Sequence, residues 1–373
     1  MTQAVYLGFF LLDHQLTPRP TRVDVMRAAL LRSLPDLEVH GEVATGGALL
    51  TPDRTDGSAR LPSLLIDGTW TTDREPVRVL IGHGGVAAVV VTREMDAHDV
   101  KATDAEVTAT LEPLRARIAT ESHALVPYAD ARAWPEGAIG RGTFLWWHRV
   151  FVADGPGAAL NPNLRFGVSI ATHTGEAGLV ASGFSLLYRE HAGALNEVVQ
   201  GLFAATEEWL DVDTVQRQVM TWVPAISESD AVLAEVPRHV NTTIAVLLTH
   251  RATLNERERY LRNYARATLD AARAAWHTSE QVAELEQTLA SVRDLANAEA
   301  AQRQASRDRL RNDYLFAFTL LAVLQTVLAI FDFLTNDGQS VVSVIRLVFG
   351  GAVALAGMVL IARVTVRGRH KEE

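Results

Sequence analysis

Two long apolar runs near the end of the chain constrain the fold more than any other feature. The first, YLFAFTLLAVLQTVLAIFDFL, extends from Tyr314 to Leu334, and the second, VVSVIRLVFGGAVALAGMVLIA, from Val341 to Ala362. Each supplies the roughly 20 mostly apolar residues that a helix needs to cross a bilayer. The connection TNDGQS is so short that the two helices must be antiparallel. The sequence therefore predicts a two-helix transmembrane hairpin over residues 313–364.

Basic residues flank the two runs and are absent from the turn between them. They are Arg303, Arg307, Arg309 and Arg311 before the first run, and Arg363, Arg367, Arg369 and Lys371 after the second. Because basic residues favour the cytoplasmic side of a membrane, this asymmetry predicts a multi-pass protein of the plasma (inner) membrane. Both termini are expected in the cytoplasm, with a basic cytoplasmic tail over 365–373.

Polar side chains interrupt the two runs and the turn at a few positions. The candidates for a pore or for polar contacts in the membrane are Thr319, Gln325, Thr326, Asp332, Asn336, Asp337 and Arg346. Ionisable groups at such depth are normally paired or face protein or water. Asp332 and Arg346 therefore indicate either a structural ion pair or part of an ion path. Gln325, together with Thr319 and Thr326, which lie seven residues apart on one helix face, forms a polar stripe. This stripe indicates either interhelical hydrogen bonds or a pore lining.

The second run carries small residues at spacings that let helices approach closely, which predicts helix packing in a homo-oligomer. These residues are Gly350, Gly351, Ala354 and Gly357. The alternative is that Gly and Ala are simply common in membrane helices.

A long helical segment precedes the first run. Ser279–Asn312 contains neither Pro nor Gly, and its apolar residues follow a heptad pattern that weakens toward the end. The positions are Val282, Leu285, Leu289, Val292, Ala296 and Glu299. This pattern predicts a coiled-coil stalk as the final part of a helical region over 191–312.

Residues 1–190 alternate strand-like and helix-like segments, which predicts an α+β cytoplasmic domain. AVYLGFFLL at the start indicates a buried strand, and VRVLIGHGGVAAVVVTRE indicates a hairpin. GTFLWWHRVFVA, LRFGVSIAT and LVASGFSLLYRE predict three further strands. On the first of them Trp146 and Trp147 are expected on opposite faces, with the outward ring either packed or free to anchor a ligand.

Chemical motifs are weak throughout the chain. There is no cysteine, and a formal charge of -9 argues against a general nucleic-acid binder. We find no catalytic or cofactor-binding motif, so the sequence predicts neither an enzyme nor a cofactor. A cluster of acidic residues and histidine near Asp104 could hold a divalent ion, although an ordinary polar loop has the same composition. Its members are Glu94, Asp96, His98 and Asp99.

From roughly residue 254 onward, the order of segments in this chain resembles that of the CorA-type divalent-cation transporters. In that family a long helix runs into the first span, the first spans of a pentamer line the pore, and a Gly-Met-Asn motif at their outer end binds hydrated cation. FLTNDGQ in this chain has Asn336 and Asp337 but neither Gly nor Met before Asn336. A weaker resemblance is to membrane-linked proteins of conflict (defence) systems, including the caspase and TPR-repeat associated (CATRA) family.

Together these features predict a membrane-anchored sensor or effector, in which the stalk couples the α+β domain to an oligomeric membrane hairpin. The output would be ion conduction or perturbation of the membrane. The alternatives are a CorA-like divalent-cation transporter and a passive anchor that recruits protein partners. In every case the bilayer is the expected partner of the C-terminal segment.

Overall fold

The computed structural model describes the chain in thirteen segments. They are residues 2–13, 15–18, 23–40, 64–72, 75–82, 85–95, 100–132, 144–154, 162–228, 235–244, 261–335, 344–345 and 348–352. The chain divides into two compact units, Met1–Arg293 and Asp294–Glu373. The first is an α/β sheet region, and the second contains the apolar part of a long C-terminal helix.

The first unit is built on a nine-stranded sheet with the order β3-β4-β5-β6-β1-β8-β11-β10-β9. Two further strands, β2 and β7, pair with each other. The strands are β1 Thr2–Leu11, β2 Gln15–Pro18, β3 Leu37–Val39, β4 Leu64–Thr71, β5 Pro76–Gly82, β6 Val86–Met95, β7 Ala129–Arg132, β8 Trp146–Ala153, β9 Val168–Thr172, β10 Gly175–Ala181 and β11 Phe184–Tyr188. Neighbouring strands are antiparallel except β8 and β11, which are parallel.

The first strand, β1, lies in the middle of the sheet and is apolar on both faces. Tyr6 and Phe10 belong to one buried cluster, whereas Leu7 and Phe9 belong to the other. Because side chains alternate along a strand, an uninterrupted apolar run is what a strand covered on both faces requires. The prediction of a buried strand at AVYLGFFLL is therefore confirmed.

Helices cover both faces of the sheet. The helices of the described residues are, in chain order, α1 Val23–Ser33, α2 Val100–Glu121, α3 Leu195–Glu228, α4 (described over 235–244), α5 Asn263–Ala275 and α6 Thr278–Thr335. Apolar residues of α1 and α2 pack in the cluster that contains Tyr6, and those of α3 and α5 pack in the cluster that contains Phe9. Within the described segments three 3-10 helices connect elements: Ser122–Tyr128, Pro162–Phe166 and Arg189–Ala194.

Two strand predictions have different outcomes. The hairpin expected at VRVLIGHGGVAAVVVTRE is confirmed, since β5 and β6 pair from Arg78 with Val90 to Ile81 with Ala87. The single strand expected at LVASGFSLLYRE is wrong, because the chain reverses there and forms the β10–β11 hairpin. Gly183 makes that reversal at φ +75°, a conformation that residues with a Cβ rarely adopt.

Two helices of the region predicted over 191–312 pack on the sheet of the first unit. α3 and α5 contribute Leu202, Phe203 and Leu269 to the core on one face of the sheet, so they belong to the first unit. Hydrophobic periodicity identified these helices but does not show which surface their apolar stripes cover.

Four of the six predicted heptad positions of α6 are already buried within the single chain. Leu285, Leu289, Val292 and Ala296 are at most 3% exposed. The sequence interpreted this stripe as part of a coiled-coil stalk. Its burial in one chain means that the stripe serves the fold, and an oligomer is not needed to cover it.

Candidate functional site

The apolar part of α6 is the clearest functional feature of the chain. Among the described residues one helix, Thr278–Phe331, is long and apolar enough to cross a membrane by length and composition. Its most apolar 18-residue window has a mean hydropathy of 2.2. None of that window is buried. The exposed side chains are large. They include Tyr314, Phe316, Phe318, Leu320, Leu321, Leu324, Val327, Leu328 and Phe331, each more than half exposed.

One narrow face of this apolar segment is less exposed than the rest. It consists of Leu315, Thr319, Ala322, Thr326 and Ala329, which follow each other at intervals of four and three residues. This spacing places all five on one side of a helix. We call these five residues the α6 seam.

The α6 seam contacts the second apolar run at Gly350. The Thr326 Oγ1 lies 2.8 Å from the carbonyl oxygen of Ala322 and 2.9 Å from that of Gly350, so its single proton is shared between these two acceptors. A Cβ on Gly350 would lie 3.7 Å from the Ala329 Cβ. The glycine therefore lets the two backbones approach, and the Thr326 hydroxyl joins them.

The structure brings together only some of the residues predicted for the membrane segment. Thr326 meets Gly350, whereas the Thr319 Oγ1 bonds to the Leu315 carbonyl of its own helix, at 2.7 Å. Gln325 is exposed and lies off the α6 seam, and Gly351 has no neighbouring atom within 4 Å of an added Cβ. The remaining predictions lie outside the described residues or side chains: Asp332, Asn336, Asp337, Arg346, Ala354 and Gly357.

The predicted metal site also falls mostly outside the described part of the chain. This applies to Asp96, His98 and Asp99 and to the side chain of Glu94, whose backbone ends β6. Within the described segments no group of three or more His, Cys, Asp or Glu side chains could hold a metal ion. Nearby Asp104 is engaged elsewhere, since its Oδ1 accepts a hydrogen bond from Arg149 Nε at 2.8 Å.

The Asp104–Arg149 ion pair lies in an aromatic setting on the α2 face of the sheet. The Arg149 guanidinium is 5.0 Å from the centre of the Phe184 ring and 5.9 Å from that of Tyr6. Burial, followed by the charge of Asp104, raises the pKa of Tyr6 to about 12. The phenol therefore stays protonated at neutral pH, and the cluster is a packed structural unit.

Trp146 and Trp147 occupy opposite faces of β8, and neither ring is free to anchor a ligand. Trp146 packs at 5.0 Å against Trp209 of α3, and Trp147 packs at 6.3 Å against Tyr6. Of the two alternatives for the outward ring, the structure shows the packed one, because helices pack on both faces of the sheet and leave both rings only partly exposed.

A buried histidine directly after these two tryptophans has the most perturbed pKa on β8. His148 is fully buried, and its Nε2 forms a hydrogen bond with the Ser185 Oγ at 2.8 Å. Burial lowers the pKa of His148 to about 3, and the charge of Arg149 acts in the same direction. Ser185 is also fully buried, so no substrate reaches its hydroxyl and the pair supports the fold.

Sequence inspection missed a cavity of about 360 Å³ on the α3 side of the sheet. Three of its polar groups are Glu75 in the turn before β5, Arg78 on β5 and Asn196 at the start of α3. These residues are far apart in the sequence and belong to no motif, so only the fold brings them together. No protein family model, curated protein or solved structure matches the chain, and the function must be argued from this geometry.

Proposed function

We propose that the chain is a membrane-anchored sensor or effector, in which the α/β domain acts through α6 on a two-helix hairpin embedded in the inner membrane. The proposal extends to the orientation given by the flanking basic residues, with both termini in the cytoplasm. The supporting observation is the exposed apolar surface of α6 from Tyr314 to Phe331.

The size of this apolar surface argues for lipid around α6. Keeping a large apolar side chain in water costs about 1.5–3 kcal/mol relative to burial. For the partly exposed residues of α6 the sum is comparable with the ~5–15 kcal/mol that stabilises a typical domain. The exposed side chains surround the helix except at the α6 seam, so a contact with one further protein would leave most of them uncovered, whereas a bilayer covers them all.

Coupling through α6 is supported by the continuity of this helix. α6 is one helix of 58 residues, and neither Pro nor Gly interrupts it. Its N-terminal turns carry the buried stripe Leu285 to Ala296, and its C-terminal turns carry the exposed apolar residues. A rotation or tilt imposed on such a helix at one end is transmitted along its axis, as in helix shifts of switching proteins.

A passive membrane anchor is the second candidate, and the α6 seam favours it. The hydroxyls of Thr319 and Thr326 are bonded to backbone carbonyls, which suits helix packing better than ion coordination. Under this reading the hairpin only holds the α/β domain at the membrane for protein partners. A CorA-like transporter has less support, because the motif that binds cation in that family is missing before Asn336.

Site-directed labelling tests the membrane arrangement against a clean background, because the chain has no cysteine. We expect a membrane-impermeant maleimide to label Asn336→Cys in intact cells and Lys371→Cys only after permeabilisation. The protein should also stay in the membrane fraction after an alkaline carbonate wash. Recovery in the soluble fraction, or labelling of Lys371→Cys but not Asn336→Cys from outside, would contradict the proposal.

Exchange of the hairpin separates an effector from a passive anchor. Replacing residues 313–364 by an unrelated two-helix anchor should abolish the output of an effector and preserve that of an anchor. In proteoliposomes an effector should pass ions or dye, and the double variant Asp332→Asn with Arg346→Gln should change that flux. Absence of flux from the assembled protein, together with full function of the exchanged hairpin, would establish the anchor instead.

A further inference from the structure

The turns of α6 just before its apolar segment carry arginine on the same side of the helix as two aromatic rings. Arg307, Arg311, Tyr314 and Phe318 follow each other at intervals of four, three and four residues, which places them on one face. All four side chains are exposed in the part of the chain that the structure describes. We call these four residues the arginine face of α6. Guanidinium groups lie at one end of this face and aromatic rings at the other.

The charge of Arg311 is available to an external group, unlike that of Arg303 two turns earlier. The Arg303 Nε lies 3.0 Å from the Glu299 Oε1, and the two side chains form an ion pair. Within the described segments Arg311 forms no ion pair, although Asp308 precedes it by three residues. Asp313, two residues after Arg311, lies on the opposite side of the helix. The N–H donors of Arg311 can therefore serve an anion outside the protein.

The rise of the helix places Arg311 at the level of lipid headgroups in the proposed membrane arrangement. The apolar segment begins at Tyr314, so the backbone of Arg311 lies about 4.5 Å outside the hydrocarbon for a helix along the bilayer normal. The headgroup layer on each side of a bilayer is roughly 5–7 Å thick. By the same measure Arg307 lies about 10 Å outside, within reach of its long side chain, and Arg303 about 16 Å outside. The headgroups therefore meet Arg311 first, Arg307 at their outer edge and Arg303 not at all.

We propose that the arginine face of α6 binds an anionic phospholipid of the cytoplasmic leaflet, such as phosphatidylglycerol. Arg311 donates to the lipid phosphate and Arg307 adds positive charge beside the headgroup, while the rings of Tyr314 and Phe318 pack on the glycerol and the upper acyl chain. Guanidinium groups suit this role because their planar N–H donors match phosphate oxygens. A zwitterionic lipid offers the same phosphate beside a cationic group that arginine repels, so the anionic lipid is preferred. This inference rests on the proposed function and adds the class of lipid that α6 recognises.

The distribution of charge along the chain restricts this attraction to the membrane segment. The whole chain carries a formal charge of -9, so it has no general attraction to an anionic surface. Salt screens charges over about 8 Å, and only basic residues close to the surface contribute. In the proposed hairpin the basic residues after the second apolar run lie at the same level as Arg311 and add to its charge. They are Arg363, Arg367, Arg369 and Lys371.

Competition between two lipids tests the proposal. The full-length, detergent-purified chain is offered equal amounts of phosphatidylglycerol and phosphatidylcholine with identical acyl chains, and the retained lipids are counted by native mass spectrometry. We expect several-fold more phosphatidylglycerol than phosphatidylcholine. A basic residue near an anionic surface contributes about fivefold to such a preference. Arg311→Gln should therefore lower the ratio of the two lipids about fivefold, whereas Arg311→Lys keeps the charge and should retain most of the preference.

Arg303→Gln is the matched control, because Arg303 is paired with Glu299 and lies beyond the headgroups. It should leave the ratio of the two lipids unchanged. Equal retention of both lipids by the unaltered protein, or the same ratio in Arg311→Gln, overturns this inference and leaves the membrane arrangement intact. Retention of neither lipid overturns the proposed function as well, so the two failures are distinguishable.

Discussion

His148 illustrates how position alone sets the chemistry of a residue. Its ring is fully buried between β8 and β11, with the Trp276 ring centre 5.9 Å away. The unfolded chain takes up a proton at this histidine below a pH of about 6.5. The folded chain does not, because burial holds the pKa of His148 at about 3.

From this difference we predict that the free energy of unfolding decreases as pH falls from 7 to 5. His148 contributes about 2 kcal/mol of that decrease, since the unfolded state binds the extra proton. In His148→Gln, which cannot be protonated, the loss between pH 7 and 5 should be smaller by this amount. The measurement is denaturant unfolding followed by tryptophan fluorescence at both pH values.

The unaltered protein, measured in parallel, is the reference for this pH dependence. Equal losses in His148→Gln and the unaltered protein would show that His148 is protonated in the folded state.

Individual residues were predictable from the sequence only where local spacing carries the information. The seven-residue separation of Thr319 and Thr326 predicts that they share one helix face, and in the structure both belong to the α6 seam. Glu75 and Arg78 were not predictable, because their partners Arg93, Asp67 and Asn196 are brought to them by strand pairing and helix packing.

At the scale of elements, α3 and α5 pack closely because of Gly201. A Cβ at this position would lie 2.4 Å from the Ala265 carbonyl oxygen and 2.8 Å from the Thr268 Cβ. We predict that Gly201→Ala lowers the stability of the first unit by about 2 kcal/mol, since the clash with α5 outweighs the better helix propensity of alanine, which is worth about 1 kcal/mol. The thermal unfolding midpoint should fall accordingly.

Gly193→Ala is the matched change for Gly201→Ala, since an added Cβ there meets no atom within 4 Å. It should leave the midpoint nearly unchanged. If Gly201→Ala proved as stable as Gly193→Ala, the two helices would have to lie farther apart than described.

The contact between α6 and the second apolar run has its own test at Thr326. Thr326→Val keeps the shape of the side chain but removes the hydrogen bond to the Gly350 carbonyl. We predict a destabilisation of the hairpin by about 0.5–1 kcal/mol, whereas Thr326→Ser should retain the bond and most of the stability. The unfolding midpoint in detergent distinguishes the two, and an identical response of both variants would mean that the bond contributes nothing.

Several elements could be predicted because their patterns are local. β1 and the β5–β6 hairpin have long apolar runs and turn residues in the expected places. The β10–β11 hairpin was missed because Ser182 and Gly183 interrupt a run that otherwise continues as a strand on both sides. A two-residue turn of this kind leaves little trace in hydrophobic periodicity.

At the scale of the whole molecule, the buried stripe of α6 decides between a fold element and an oligomeric seam. Leu289 is 0% exposed in the single chain. We predict that Leu289→Ala lowers the free energy of unfolding by about 2–5 kcal/mol while the cross-linking ladder of the native protein stays the same. Leu295→Ala, at a position 47% exposed, should change neither quantity.

The opposite outcome for Leu289→Ala is equally informative. A collapsed cross-linking ladder with an unchanged unfolding midpoint would indicate a coiled coil between chains. A heptad pattern identifies an apolar stripe but not its partner. For the same reason the sequence does not show that α3 and α5 belong to the first unit, Met1–Arg293.

The central place of β1 in the sheet also affects the biosynthesis of the protein. Its two neighbours are β6 and β8, so a ribosome has to synthesise everything from Leu11 to Ala153 before both edges of β1 can be paired. At ~5–20 residues per second this takes many seconds. Until Met95 has been synthesised β1 has no neighbouring strand, and one of its edges stays unpaired until Ala153, so one of the most apolar segments of the nascent chain is exposed to aggregation during that time.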